Sequence, residues 1–301
     1  MIYILIKVFP GLKQFRPKWY SEYPPHQEDE ELIEEFFFQF IKKGQKNCNS
    51  KKIYYIPIFW TNYFLTKNYG KNIRFLKIFI KFFNFFTKKL KKFTIVQFAG
   101  GTKVPLDNTI IFSSAGSHLS DIGKNSLYIP IPLISKSHSQ VSVENKKYKV
   151  GFVGRDTHTC RQVLAQQLSG MKDYKIKIVD DYNNISEFED IMNNSIFSLC
   201  PRGTSPTSFR LYEALESGSI PIYVSDEHWL PFNDFLEWEE FCILLKPDEI
   251  SKIPFIVDNI IKESKHLEMI TKGKKAHENY FTLEKTSYQI ITYLHNAHEK
   301  N

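Results

Sequence analysis

Two arginines, a glycine, four hydroxyls and a carboxylate crowd into CPRGTSPTSFRLYEAL, residues 200 to 215. Arg202 and Arg210 each carry a planar guanidinium fork that matches phosphate oxygens. Gly203 permits a tight backbone turn, and Thr204, Ser205, Thr207 and Ser208 supply hydroxyls and caps where a helix begins. Backbone N–H groups and the positive end of the helix dipole at such a start favour an anion. Glu213, one turn beyond Arg210 on the same face, is placed to accept the paired hydroxyls of a ribose. Taken singly, these are ordinary surface residues and weak ion pairs. Gathered at one strand-to-helix junction, they describe a site for a nucleoside diphosphate.

The elements that must hold this junction follow from the pattern around it. SIFSLC (195 to 200) reads as a buried strand, 207 to 217 as a helix stopped by Gly218, and IPIYVS (220 to 225) as the next strand. Upstream lie strand YKVGFVG (148 to 154), a helix around 158 to 170, strand YKIKIVD (174 to 180) and a helix around 185 to 193; helices near 253 to 268 and 283 to 298 close the chain. The first half shows the same rhythm. IYILI (2 to 6), KIYYIPIF (52 to 59), TIVQF (94 to 98), TIIFS (109 to 113) and SLYIPI (126 to 131) are β-rich, and EDEELIEEFFFQFIKK (28 to 43) is a helix with acids first and lysines last. Alternation of this kind predicts parallel sheets covered by helices. A length of 301 residues exceeds one core, so an N-terminal domain over 1–133, a polar linker over 134–147 and a C-terminal domain over 148–301 are expected, with the last helix returning to the first domain. Ligands of open parallel sheets bind beyond the carboxyl ends of the strands. That singles out the quoted loop, and Arg155 after YKVGFVG.

The C-terminal half resembles the exostosin-like glycosyltransferases. The resemblance is carried by CPRG (200 to 203), SFRLYEAL (208 to 215), Gly218, IPIYV (220 to 224) and SDEHWLPFNDFLEWEEF (225 to 241), and in the first half only loosely by YPPHQ, YYIPIFW and FTIVQF. It implies a GT-B architecture, two Rossmann-like domains facing a central cleft, with the nucleotide sugar on the C-terminal one. It also implies an inverting hexosyl- or pentosyltransferase that needs no metal, moving a sugar from a nucleotide diphosphate donor, most simply a UDP-sugar, to a glycan or glycoconjugate hydroxyl. Arg202, Gly203, Ser208, Arg210 and Glu213 carry over as donor-site residues, and Arg155 as an arginine that neutralises the leaving diphosphate or caps the loop. No Asp-x-Asp triplet occurs in the chain, the motif that commonly holds Mg²⁺ or Mn²⁺ in metal-dependent sugar transferases. The general base is less legible: where relatives often carry an acid after the strand matching TIVQF, this chain has FAGGTKV. Asp121 is the expected base, with His118 and Asp107 as alternatives. The departure also leaves open a catalytically silent nucleotide-sugar-binding module.

Charge and cysteines bound the remaining classes. Eight basic residues and no acid lie between Lys71 and Phe93, more than the whole formal charge of +7, so the basic character is local. KNIRFLKIFIKFFNFFTKKLKKF therefore reads as a basic amphipathic helix, either packed on the sheet with solvated lysines or docking peripherally on an anionic membrane surface. With the rest of the chain near neutral and no recognised nucleic-acid motif, a nucleic-acid partner is not expected. Cys48, Cys160, Cys200 and Cys242 are far apart, which suits reduced thiols in a cytoplasmic chain, and MIYILIKVFPGLK reads as a first strand.

Overall fold

The structure is a computed structural model that describes residues 5–18, 32–44, 52–117, 122–134, 146–180 and 185–299. Of these, the residues up to Pro132 and from Thr282 onward form one compact unit, and those from Leu133 to Phe281 form a second. Each is a parallel five-stranded sheet covered by helices, the organisation expected of a GT-B chain.

The first sheet runs in chain order: β1 (Leu5–Val8), β2 (Lys52–Tyr55), β3 (Lys92–Val96), β4 (Thr109–Ser113) and β5 (Leu127–Pro130). Alternate side chains of each strand enter opposite cores. Phe93, Ile95 and Phe112 meet α1 (Ile33–Gly44) and the C-terminal helix α9 (Leu283–Glu299), whose Ile290 and Leu294 are buried with them. Val96 and Ile111 pack instead with α2 (Trp60–Thr66) and α3 (Arg74–Phe86), through Trp60, Phe64, Leu76 and Ile80. The basic stretch is thus shorter as a helix than expected. It ends at Phe86, and Lys92 and Phe93 belong to β3, both buried. The Lys92 ammonium donates to the Thr87 carbonyl and hydroxyl (3.0 and 3.1 Å), and burial lowers its pKa to about 8.

The second unit contains β6 (Tyr148–Arg155), α4 (Thr159–Leu168), β7 (Tyr174–Val179), α5 (Ile185–Asn193), β8 (Ser195–Pro201), α6 (Phe209–Glu216), β9 (Ile220–Val224), β10 (Ile243–Leu245), α7 (Ile253–Lys262) and α8 (Lys265–Tyr280). The single closing helix expected over 253 to 268 is two, broken at Ser264, whose φ of 56° is left-handed. The sheet order β10-β9-β8-β6-β7 reverses direction between β6 and β8. Successive crossovers leave that point toward opposite edges, which opens a crevice at its carboxyl end. The first sheet has no such reversal among its described strands. Gly151 of β6 is packed so closely that a Cβ there would lie 2.0 Å from Ser195 Oγ.

A buried acid ties the first unit together at the same edge of its sheet. Glu34, in the first turn of α1, accepts from Gln97 N after β3 (2.8 Å), and from Thr61 N (3.0 Å) and Thr61 Oγ1 (2.9 Å) at the start of α2. Burial outweighs these donors and raises its pKa to about 8. Because the folded chain holds this proton more tightly than the unfolded one, stability falls as pH rises from about 4.5 to about 8 and is flat in this contribution above that. Glu34→Gln should remove that slope, up to roughly 1.4 kcal/mol per pH unit. Urea unfolding of both proteins between pH 5 and 8 (~three points) checks it: the variant gains relative to the parent as pH rises.

Candidate functional site

The carboxyl ends of β6, β8 and β9 converge on the strand-order reversal, and the sequence motif lands there. Pro201 pairs with Val224, and Arg202 N continues the ladder by donating to Val224 O at 2.8 Å. The loop then folds on itself: Gly203 N donates to Ser205 O (3.2 Å) and Ser205 Oγ to Thr207 O (3.1 Å). Its far end is pinned by the Tyr223 phenol, set between the carbonyls of Pro206 (2.9 Å) and Glu227 (3.2 Å). Burial pushes that phenol up to about 12, so it stays protonated. Ser208 is the extended N-cap of α6, yet its side chain caps nothing, and its Oγ is buried without a hydrogen-bond partner.

Arg161, on α4, closes the crevice from within. Its guanidinium is buried and donates to Arg155 O (2.9 Å), Arg202 O (3.0 Å) and Pro201 O (3.4 Å). The ends of β6 and β8 are held together by one side chain. Gly203 owes its identity to this neighbour, not to a special backbone angle: a Cβ would sit 3.0 Å from Arg161 Nη2 and 3.1 Å from Thr157 Oγ1.

Around the clamp stand groups with charge to offer. Arg202 is ion-paired with Asp226, which follows β9, and the arginine holds the Asp226 carboxyl below its usual range. His158 caps α4, its Nδ1 accepting from Cys160 N at 3.2 Å, so the neutral ring carries its proton on Nε2. Burial, then Arg202, lowers the His158 pKa. Arg155 is exposed at the end of β6. Two arginines, Arg155 and Arg202, therefore stand at this edge, with a helix start beside them.

The structure thus brings Arg155, Arg202, Gly203 and Ser208 to one place. Arg210 and Glu213 are on the adjoining α6, both buried. The Arg210 guanidinium lies between the rings of Phe152 (4.7 Å) and Phe188 (4.8 Å) and donates to Val153 O, so it is committed to anchoring α6 on β6 rather than offered as a surface fork. Asp107 is on the wrong edge for a base. It precedes β4, and its carboxylate accepts from Lys124 N at 2.8 Å. Asp121 and His118 lie outside the described residues. Arg161, His158 and Asp226 were not foreseen as site residues. Arg161 and His158 sit in the run GFVGRDTHTCR beside Arg155, but nothing in a sequence distinguishes an arginine that turns inward.

Comparison with known proteins agrees with the motif. Residues 93–260 match the Exostosin GT47 domain, and the chain belongs to that family. A probable glycosyltransferase of Arabidopsis thaliana is 31% identical over 125 residues, which is 42% of this chain and 26% of the relative. A probable glucuronosyltransferase of Oryza sativa subsp. japonica is 41% identical over 73 residues, 24% of this chain and 17% of the relative. The chain thus matches about a quarter or less of the length of these relatives. Among solved structures, Anabaena Alr3699/HepE in complex with UDP-glucose aligns with a TM-score of 0.42 and 12% identity, over 87% of this chain and 75% of that one.

The clamp makes a stability prediction. Arg161→Lys keeps the charge but cannot reach three carbonyls at once, so it should lower stability by about 2–3 kcal/mol. Thermal unfolding beside Lys175→Arg, an exposed control in β7, measures this; equal melting temperatures would remove the clamp from the account.

Proposed function

We propose that this chain is an inverting, metal-independent glycosyltransferase that moves a sugar from a nucleotide diphosphate donor to a hydroxyl of a glycan acceptor. One observation carries the reading: cations and the uncapped start of α6 meet at the reversal of the second sheet, in a chain of the GT47 family. The diphosphate takes Arg155 and Arg202 together with the N-terminus of α6 and Ser208 Oγ, and Glu213 keeps the ribose role that its motif implies. Arg210 acts by positioning α6. The rice relative is named for glucuronosyl transfer, which makes a glucuronate-carrying donor the first to test; the UDP link is what the resemblance to the family implies.

In the transfer, the acceptor oxygen attacks the anomeric carbon on the face opposite the diphosphate. The bond from that carbon to the phosphate oxygen breaks, and the configuration inverts. Charge building on the departing oxygen is met by preorganised arginines and a helix dipole, which perform the work a divalent cation does elsewhere. The absence of an Asp-x-Asp triplet from the sequence supports this division. The hydroxyl proton needs a base, and Asp121, which follows the carboxyl end of β4 in the chain, is proposed for it.

Thermal-shift titration tests the donor site. UDP or a UDP-sugar at about 100 times its Kd should stabilise the protein by roughly 2.7 kcal/mol. The shift should survive EDTA and vanish in Arg155→Ala/Arg202→Ala; absence of a shift with any nucleotide would sink the proposal. Asp121→Asn should retain the shift and lose donor turnover with acceptor glycans. Donor binding by the parent protein without turnover on any acceptor would instead favour the silent module that FAGGTKV suggests.

A further inference from the structure

The outer side of α3 is built from residues that belong together only at a lipid surface. Leu76, Ile80 and Phe83 face the core. Phe75, Ile78, Phe82, Phe85 and Phe86 are exposed, Phe82 by 59% and Phe86 by 78%, and only the Phe75 ring among them also stacks on the buried Phe15. Phe75, Phe82 and Phe86 follow one another at spacings of seven and four, and Ile78 and Phe85 at seven, so they share one stripe along the helix. Arg74, Lys77, Lys81 and Lys88 recur at three, four and seven along one flank, all exposed. Lys71, Lys89 and Lys91 extend the positive charge beyond both ends, and no acidic residue lies between Lys71 and Phe93. Among the described residues, none of these cations is in an ion pair.

We propose that this face docks on an anionic membrane surface, the phenylalanines entering the headgroup boundary and the lysines engaging lipid phosphates. Charge chooses the occupant. A soluble apolar partner or a second copy of this helix would bring its own row of lysines against this one or leave it unpaired. An anionic lipid surface satisfies both halves, since long lysine stems reach outward while their apolar parts stay with the phenylalanines. The docking proposed is at the surface; among the described residues, no helix is long and apolar enough to cross a membrane. The docking is independent of the donor-site reading, because α3 belongs to the first unit.

Co-sedimentation of the full chain with vesicles tests it, using phosphatidylcholine alone and phosphatidylcholine with about 30% phosphatidylserine. The protein should pellet with the anionic vesicles and be released in part by high salt, which screens the lysines but not the apolar contact. Phe75→Ser/Phe82→Ser/Phe86→Ser and, separately, Lys77→Glu/Lys81→Glu should each reduce the bound fraction about tenfold or more. Both variants change only exposed side chains, so unchanged melting temperatures confirm that the fold is intact. Failure of the parent chain to bind anionic vesicles overturns the proposal, as does undiminished binding by both variants. A dimer in solution that the phenylalanine variant dissociates, without vesicle binding, would assign the face to a second copy.

Discussion

The second unit depends on one buried guanidinium. A parallel sheet that reverses its strand order must splay the loops leaving its two central strands, and the carbonyls at those strand ends lose their ladder partners. Arg161 supplies donors to three of them from a single planar group. A lysine could offer three protons but only from one point, and the carbonyls belong to different strands. The burial of the charge is compensated by these bonds, and their loss would leave both the charge and the carbonyls unpaired. The same contact explains why the turn after Arg202 has glycine: the guanidinium fills the space a side chain would occupy.

With Arg161 turned inward, Arg155 and Arg202 are the arginines left at the edge of the crevice. Arg202 gives one Nη1 proton to Asp226 and its Nε to Gly203 O (3.5 Å), fewer than the donors its guanidinium carries. His158 stays neutral more readily than an ordinary histidine, first because it is partly buried and then because Arg202 is near it.

Much of this was legible in the sequence because short β-rich runs alternated with helical ones and because a glycine and a capping run marked the β8 to α6 junction. What escaped has physical reasons. α2 is buried on nearly every side, so WTNYFL carries no amphipathic period and follows directly on a β-rich run. β10 has only three residues, inside an acidic and aromatic segment. The break at Ser264 has neither glycine nor proline to announce it. The site residues divide along the same line. Arg155, Arg202 and Ser208 are placed by strand ends and a helix start, which local pattern reveals. The direction of Arg210 is set by Phe152 and Phe188, from two other elements, and no local pattern encodes that meeting.

The two units treat the same edge of their sheets oppositely, and the difference indicates where an anion belongs. In the first, the start of α2 already has an acceptor, because the Glu34 carboxyl accepts both the Thr61 N–H and its hydroxyl and is bonded at the end of β3 as well. The position an external phosphate would take is filled by the chain itself. In the second, the corresponding helix start is capped by no side chain, and the Ser208 hydroxyl beside it is buried with nothing to bond. A buried hydroxyl without a partner is costly unless something arrives to meet it. Since the first unit shows that this chain can satisfy a helix start internally, the start of α6 left without a side-chain cap is the feature on which the proposed donor site rests.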